Sequence, residues 1–526
     1  MQVPKLNSHL ISRREAVLIG IYAWIFCLVL SGVGFVQAWQ VNGQLCYALD
    51  DSFIMMAISK NFALHHVWGL TQYEFSSTAS SPLFATILAG FIWLLGDQVW
   101  LPLFINILAL LGLCIWLSTA ARSWNLNRWQ TWMLQIGLIF FMPIPVLLFG
   151  SMEHILHTWI ALFCFYELVD KEADHNYLSY FLMGALLSSI RYEGLFEGGL
   201  IVLWMWKNHK WKQGFTFGFG LMVPVTILGL YAMSKGSYFL PNSLVLKGYN
   251  LNIAVNDSIF SYLFTFVEKA ANYHHMVVLM IVLWLFIGDK ISVKYGNRVF
   301  LILIFIFNIL HFVFARYGHV YRYECYLIGF SWVYIWKIIC QSVQVKNFDS
   351  LFDVLFKTPG QIFFIVILTF GLAARSIASY KEGTRAMVNI YEQQVQTANF
   401  VKKYYNDKPI AAIDVGAIAY YSDCKLLDIW GLGSIELARM KMNNTYSNDR
   451  IDSLCRAKKV ELAIVYKKHW DHPSWKKVTS WKIFNNAVCA ADTIDFFAIN
   501  PKDSNSIKEK LTEFETQLPK TVQILN

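Results

Sequence analysis

The chain has 526 residues, of which 56% are hydrophobic, 16% aromatic and only 15% charged. That balance excludes an ordinary soluble globular protein, in which charged residues make up about a quarter. The formal charge of +9 does not signal a nucleic-acid binder, because the lysines and arginines gather in short connections between hydrophobic runs, as membrane topology requires.

In chain order, apolar runs fall at 16–41, 80–95, 99–120, 129–148, 156–169, 177–190, 195–206, 215–233, 274–287, 299–314, 323–339 and 359–378. A hydrocarbon core takes about 20 residues of helix to cross, so the chain reads as a polytopic α-helical membrane protein with about 11 to 13 transmembrane helices. The first run follows Arg13 and Arg14. It is too long for a secretory signal and lacks a small-residue cleavage site, so it reads as an anchor. Basic residues before that run, at Lys207, Lys210 and Lys212, at Lys290, Lys294 and Arg298, and at Lys337, Lys346 and Lys357 mark the cytoplasmic faces. Loops 42–79 and 234–273, the turn 316–322 and everything after 378 then lie on the opposite side. A cytoplasmic start and an extracytoplasmic end need an odd number of crossings, whereas twelve runs are present. The run 129–148, which holds Pro143 and Pro145, is the one expected to break into two short helices.

After 378 the pattern changes to a polar helix over 380–405, then strand-like runs at 410–413, 426–429, 460–465 and 493–499, with turns at Gly416 and from Gly431 to Gly433. The expected organisation is a transmembrane domain over 1–378 and a small soluble α/β domain over 379–526. There is no tandem or inverted repeat of the kind many transporters carry. The nine cysteines show no CxxC or Cys/His spacing, so no metal site is implied, although Cys455 and Cys489 could pair in an oxidising compartment.

Four polar clusters are expected at one membrane face. Asp50 and Asp51 open a segment in which Phe53, Met56, Ala57 and Lys60 recur at helical spacing, which predicts an amphipathic helix lying on the membrane. Helix capping accounts for one carboxylate, and the second is either solvated surface or available for chemistry. Arg191 and Glu193 lie between two runs, and Glu153 and His154 open another. Charges so close to hydrocarbon cost a few kcal/mol each unless they are paired or face a wet cavity. The turn 315–324 packs two arginines, Arg316 and Arg322, a histidine, His319, and three tyrosines, Tyr317, Tyr321 and Tyr323, between two runs. Arginine forks hold phosphate oxygens, so Arg316, Arg322, Arg191 and Lys247 are the candidates for binding an anionic lipid headgroup. Asn242, adjoining Pro241, adds a further polar group.

The segments Asp50-Asp51-Ser52-Phe53-Ile54, Ser81-Pro82-Leu83, Ser151-Met152-Glu153, Arg191-Tyr192-Glu193-Gly194, Pro241-Asn242 and Asp414-Val415-Gly416-Ala417-Ile418 together resemble the GT-C fold glycosyltransferases. The nearest branch is that of the mycobacterial terminal arabinofuranosyltransferases. The chain departs from that pattern at Tyr192, where a proline is common, and at Ser81, where an asparagine is common. The resemblance implies an inverting transfer of a sugar, arabinofuranose by the nearest branch, from a polyprenyl-phosphate donor to a glycan, glycolipid or protein acceptor. It also implies a bacterial inner membrane location, with the site and the C-terminal domain on the periplasmic side. The first-loop aspartate of such enzymes acts as general base, which places that role on Asp50 with Asp51 as neighbour or substitute. Glu153, His154, Glu193, Asn242, His319, Tyr317, Tyr321 and Lys60 are then expected around the substrates. No cofactor is assigned, and a divalent cation is left open. The competing class is a transporter or flippase of a lipid-linked or anionic substrate, which calls for ionisable residues near mid-membrane.

Overall fold

The computed structural model describes residues 10–247, 259–288, 298–318, 320–343, 359–466 and 474–525. The first hydrophobic run forms a 30-residue helix, Arg13–Asn42. Its start is fixed by a capping box, in which Glu15 N donates to Ser12 Oγ over 3.2 Å and Ser12 N to the Glu15 carboxylate over 2.8 Å. Its end is set by Gly43 in the left-handed region at φ 67°. A Cβ on Gly20 would lie 2.7 Å from Ile115 Cα, so the glycine lets the Leu101–Ser123 helix approach backbone to backbone, as small residues do between membrane helices.

Among the described residues, four helices are long and apolar enough to cross a membrane: Arg13–Asn42, Leu101–Ser123, Trp211–Ser234 and Phe363–Tyr404. Two bent pairs raise that number to six. Arg128–Phe141 and Ile144–Gly150 meet at 47°, and Phe266–Asn272 and His274–Gly288 at 92°. The first of these breaks falls beside Pro143, inside the run 129–148. Shorter apolar helices, Pro82–Leu95, Tyr177–Ile190, Arg298–Phe314 and Cys325–Gln341, pack with them. The protein is an integral membrane protein.

The Pro359–Ile390 helix runs unbroken across position 378 and continues through a π-helical turn, Tyr391–Val395, into Gln396–Tyr404. The last apolar run and the polar helix predicted after it are therefore one rod. It carries the chain from the bundle into a six-stranded sheet: β1 (Pro409–Ala412), β2 (Lys425–Asp428), β3 (Leu462–Val465), β4 (Lys476–Lys482), β5 (Thr493–Ala498) and β6 (Gln523–Leu525). The strand order is β2-β1-β3-β5-β4-β6, parallel across β2, β1 and β3 and antiparallel beyond. Phe400, Trp481, Phe496 and Phe514 form its aromatic core.

Three expectations are corrected. The Asp50–His65 helix is not a surface amphipath, since every residue from Ser52 to Ser59 is buried. It is covered on one side by the Pro82–Leu95 helix and on the other by the short helix Gly416–Tyr421 of the C-terminal domain. Lys337 is not in a cytoplasmic connection but inside the Cys325–Val343 helix, where it is buried against Asp170. Cys455 and Cys489 are not joined, both being free thiols.

Candidate active site

The two aspartates begin the Asp50–His65 helix, whose N-cap is Leu49. Their carboxylates leave in different directions. Asp50 takes hydrogen bonds from Gly416 N at 2.7 Å and Ala417 N at 2.8 Å, so it caps a helix of the other domain. The opposite end of that six-residue helix is held by the same element, because Lys60 Nζ donates to Tyr420 O at 3.0 Å. An anion at the amino end and a cation at the carboxyl end match the polarity of the clamped helix. Tyr420 OH donates to Asp97 at 2.8 Å, and Lys60 lies 3.7 Å from the same carboxylate. Burial, reinforced by the nearby Asp414, raises the carboxyl of Asp50 well above the ordinary aspartate range. Lys60 is thus a fastener of the two domains and not a group facing a substrate.

Asp51 points into the bundle and forms an ion pair with Arg322. Another NH group of Arg322 meets the Met152 sulfur, and its Nε has no hydrogen-bond partner. The Arg322 and Arg191 guanidinium carbons lie 4.9 and 5.7 Å from the centre of the Tyr323 ring. Arg191 is held by Glu193, at 2.7 and 3.1 Å, and by Glu153. The second Glu153 oxygen and His154 Nε2 are buried without partners, and the His154 ring lies 6.5 Å from that of Tyr323. Asp51, Glu153, His154, Arg191, Glu193 and Arg322 therefore meet, although they come from four separate segments of the chain.

The turn that delivers Arg322 is built from strained backbone, with Gly318, Val320 and Tyr321 at φ 75°, 57° and 62°. Glu324 holds it by accepting from Gly318 N at 2.8 Å and pairing with Arg375, which also donates to Tyr321 O at 3.0 Å. His311 lies 3.0 Å from Arg316 O and 2.7 Å from Tyr326 OH. Tyr317 is buried against Tyr273 and His311, with ring centres 5.0 and 4.9 Å away. Tyr321 donates to Glu382 at 2.8 Å. These two tyrosines brace the turn, and Arg316 is exposed. Asn242 Nδ2 donates to Leu432 O at 3.1 Å, so it too ties the domains together. His319 and the Lys247 side chain lie outside the described residues. Three participants are given no role by the sequence alone: Met152, Glu324 and Arg375. Met152 adjoins Glu153 and Glu324 closes the 315–324 turn, which is a usable signal, whereas nothing local marks Arg375.

Beside the charged cluster is a small, open aromatic cavity walled by Trp68, Phe75, Tyr192, Tyr231 and Phe239. Tyr192 adjoins Arg191 in sequence and links cavity and cluster. Among the described residues, no group of three or more His, Cys, Asp or Glu side chains is placed to hold a metal ion.

A domain of unknown function (DUF8728) matches residues 388–497, which hold β1 to β4 and most of β5. No curated protein matches the sequence. Two solved structures match the fold over nearly its whole length. ArnT from Cupriavidus metallidurans bound to undecaprenyl phosphate has 12% identity and a TM-score of 0.53, covering 90% of this chain and 98% of that one. The same protein in the apo state gives 13% identity and a TM-score of 0.52, with 91% and 98% covered. The fold is that of the GT-C glycosyltransferases, a helical membrane bundle with a C-terminal α/β domain.

Proposed function

We propose that the protein is an inverting glycosyltransferase that moves a sugar from a polyprenyl-phosphate donor to an acceptor hydroxyl. The reaction takes place on the face that carries the C-terminal domain, periplasmic in a bacterial inner membrane. The observation that carries this reading is the Arg322 guanidinium, buried at 2% exposure with Nε unpaired and one NH group on a thioether. A buried cation with unused donors is costly until a ligand completes it, and phosphate oxygens match its fork. The bound lipid of the ArnT neighbour is of the same chemical class.

In this mechanism the acceptor oxygen attacks the anomeric carbon as the bond to the phosphate oxygen breaks. The bonding electrons leave with the phosphate and are stabilised by Arg322, while the acceptor proton passes to Asp51. Asp51, not Asp50, is the proposed base, because both Asp50 oxygens already hold backbone amides. Arg322 serves Asp51 and the donor in turn. When phosphate draws on the guanidinium, the Arg322–Asp51 ion pair weakens and Asp51 becomes more basic. Arg191, neutralised by Glu153 and Glu193, orients Tyr323 rather than holding phosphate. The aromatic cavity beside Tyr192 receives the first isoprene units. Arabinofuranose is the sugar suggested by the sequence motifs.

Mass spectrometry of lipid copurifying with the full chain tests the reading. Wild-type protein is expected to carry a polyprenyl phosphate or its sugar conjugate, and Arg322→Gln to lose most of it while remaining folded. Equal lipid in both, or substrate translocation across vesicles without a glycosidic product, would overturn it.

A further inference from the structure

Strand β2 ends at Asp428, and the loop after it is held with unusual completeness. The Asp428 carboxylate accepts from Trp430 N at 2.8 Å, Gly431 N at 3.0 Å and Gly433 N at 2.6 Å. Gly431 sits at φ 93°, a conformation that side chains rarely adopt. Leu432 O accepts from Thr78 at 2.9 Å and from Asn242 at 3.1 Å, and Arg439 donates to Gly236 O. The loop is thus fixed to its own domain and to the bundle at once.

On this immobilised loop Trp430 is 42% exposed, whereas Trp475 and Trp481 of the same domain are 6% and 1% exposed. The Lys441 ammonium lies 3.4 Å from the centre of its ring and 4.9 Å from that of Tyr446. Among the described residues no second ring stacks on the indole. Ordering an exposed tryptophan this tightly serves no core, but it prepares a flat surface that binds with little further loss of entropy.

We propose that Trp430 and Lys441 form a sugar-binding platform for a glycan acceptor, an inference that rests on the transferase reading above. The indole face opposite the Lys441 ammonium suits the C–H face of one sugar ring, and Lys441, stacked on the other face, holds the ring in place. The location fits an acceptor. Thr78 and Asn242, which hold the loop, adjoin Ser77 and Pro241 in the wall of the aromatic cavity, and that cavity reaches Tyr192 beside Arg191. A bilayer anchor is disfavoured by the surroundings. The helix that supplies Lys441, Ile435–Met442, also carries Glu436 and Arg439, and exposed Asn443 and Asn444 follow it.

The test uses full-length protein in nanodiscs and an array of immobilised pentose and hexose oligosaccharides. Wild type is expected to bind at least one glycan. Trp430→Ala should weaken that binding about tenfold or more, a loss of roughly 1.4 kcal/mol or more, and Trp430→Phe should recover most of it. Asp51→Asn should bind as wild type does while losing transfer, and unchanged copurifying lipid in the Trp430 variants shows that they fold and keep the donor site. Undiminished binding by Trp430→Ala, or none by wild type, overturns the platform. The lipid measurement judges the transferase reading separately. A nitroxide at position 430 should relax faster with a water-soluble nickel chelate than with oxygen, and the opposite order would place the residue in the bilayer and also overturn the proposal.

Discussion

Two buried ion pairs occupy different parts of the bundle, and their contrast separates structural charge from functional charge. In one, Asp170 pairs with Lys337 and accepts from Trp124 Nε1 at 2.8 Å, so both carboxylate oxygens are used. The ammonium is enclosed by the Trp124, Phe300 and Tyr334 rings at 5.1, 4.9 and 5.5 Å. In the other, Asp51 pairs with Arg322, but Arg322 Nε, His154 Nε2 and one Glu153 oxygen lack partners. Buried polar groups are normally satisfied. The first pair is complete by itself, and the second is arranged for something to arrive.

Neutralising each aspartate breaks the comparison open, and this gives the largest expected effects. Asp51→Asn should lower transfer per folded molecule about 10²- to 10⁴-fold, the usual worth of a positioned base, and because it too leaves a buried cation without its carboxylate, it should also lower the unfolding temperature. Asp170→Asn leaves the Lys337 charge uncompensated and should destabilise by about 3–5 kcal/mol, while turnover per folded molecule stays near that of wild type. Unfolding curves together with a transfer assay separate the outcomes, and the reverse pattern would refute the distinction.

These pairs also show what the sequence could and could not reveal. Hydrophobic runs mark the helices, because crossing a bilayer imposes a length and composition on each one separately. Alternating apolar residues likewise expose β1, β2, β3 and β5, but not β4, whose Lys476–Lys482 stretch carries three lysines, nor the three-residue β6. Asp51, Arg191 and Arg322 stand out because charge beside hydrocarbon is rare. Glu193 lies two residues from Arg191, but the other partners follow no local rule. Lys337 is 167 residues from Asp170 and Gly416 is 366 from Asp50, so tertiary packing alone decides what each carboxylate meets. The same distance explains the misreading of the Asp50–His65 helix, since nothing within it announces the domain that covers its second face.

An intermediate effect is expected at the seam between the domains. A Cβ on Gly416 would stand 2.8 Å from the Asp50 carboxyl carbon and closer still to the Asp50 main-chain oxygen. Gly416→Ala therefore has to push the clamped helix away from the element that also carries Asp51. Overpacking of this kind costs about 1–3 kcal/mol, and transfer should fall with it even though the substituted residue touches no substrate. Limited proteolysis should release the C-terminal domain faster than from wild type. An unchanged cleavage rate would show that Asp50 and its amides are not what docks the domain.

The smallest net effect is expected at Asp428, where two consequences of one substitution oppose each other. Burial pushes the Asp428 carboxyl up to about 6 despite the three amides that favour its charged form. Because the folded value exceeds the ordinary one near 3.9, the folded state binds the proton more tightly. Its contribution to stability is therefore greatest below about pH 4 and is lost as pH rises through about 6. An asparagine side chain in its place would remain neutral throughout, removing that dependence, but an amide oxygen cannot take three amides as two carboxylate oxygens do. Asp428→Asn should thus change stability at neutral pH by no more than about 1 kcal/mol, the scale of one hydrogen bond, while flattening the fall in unfolding temperature between pH 4 and 7. If the two proteins kept parallel profiles across that range, the loop beneath Trp430 would not be held by a titrating carboxyl group.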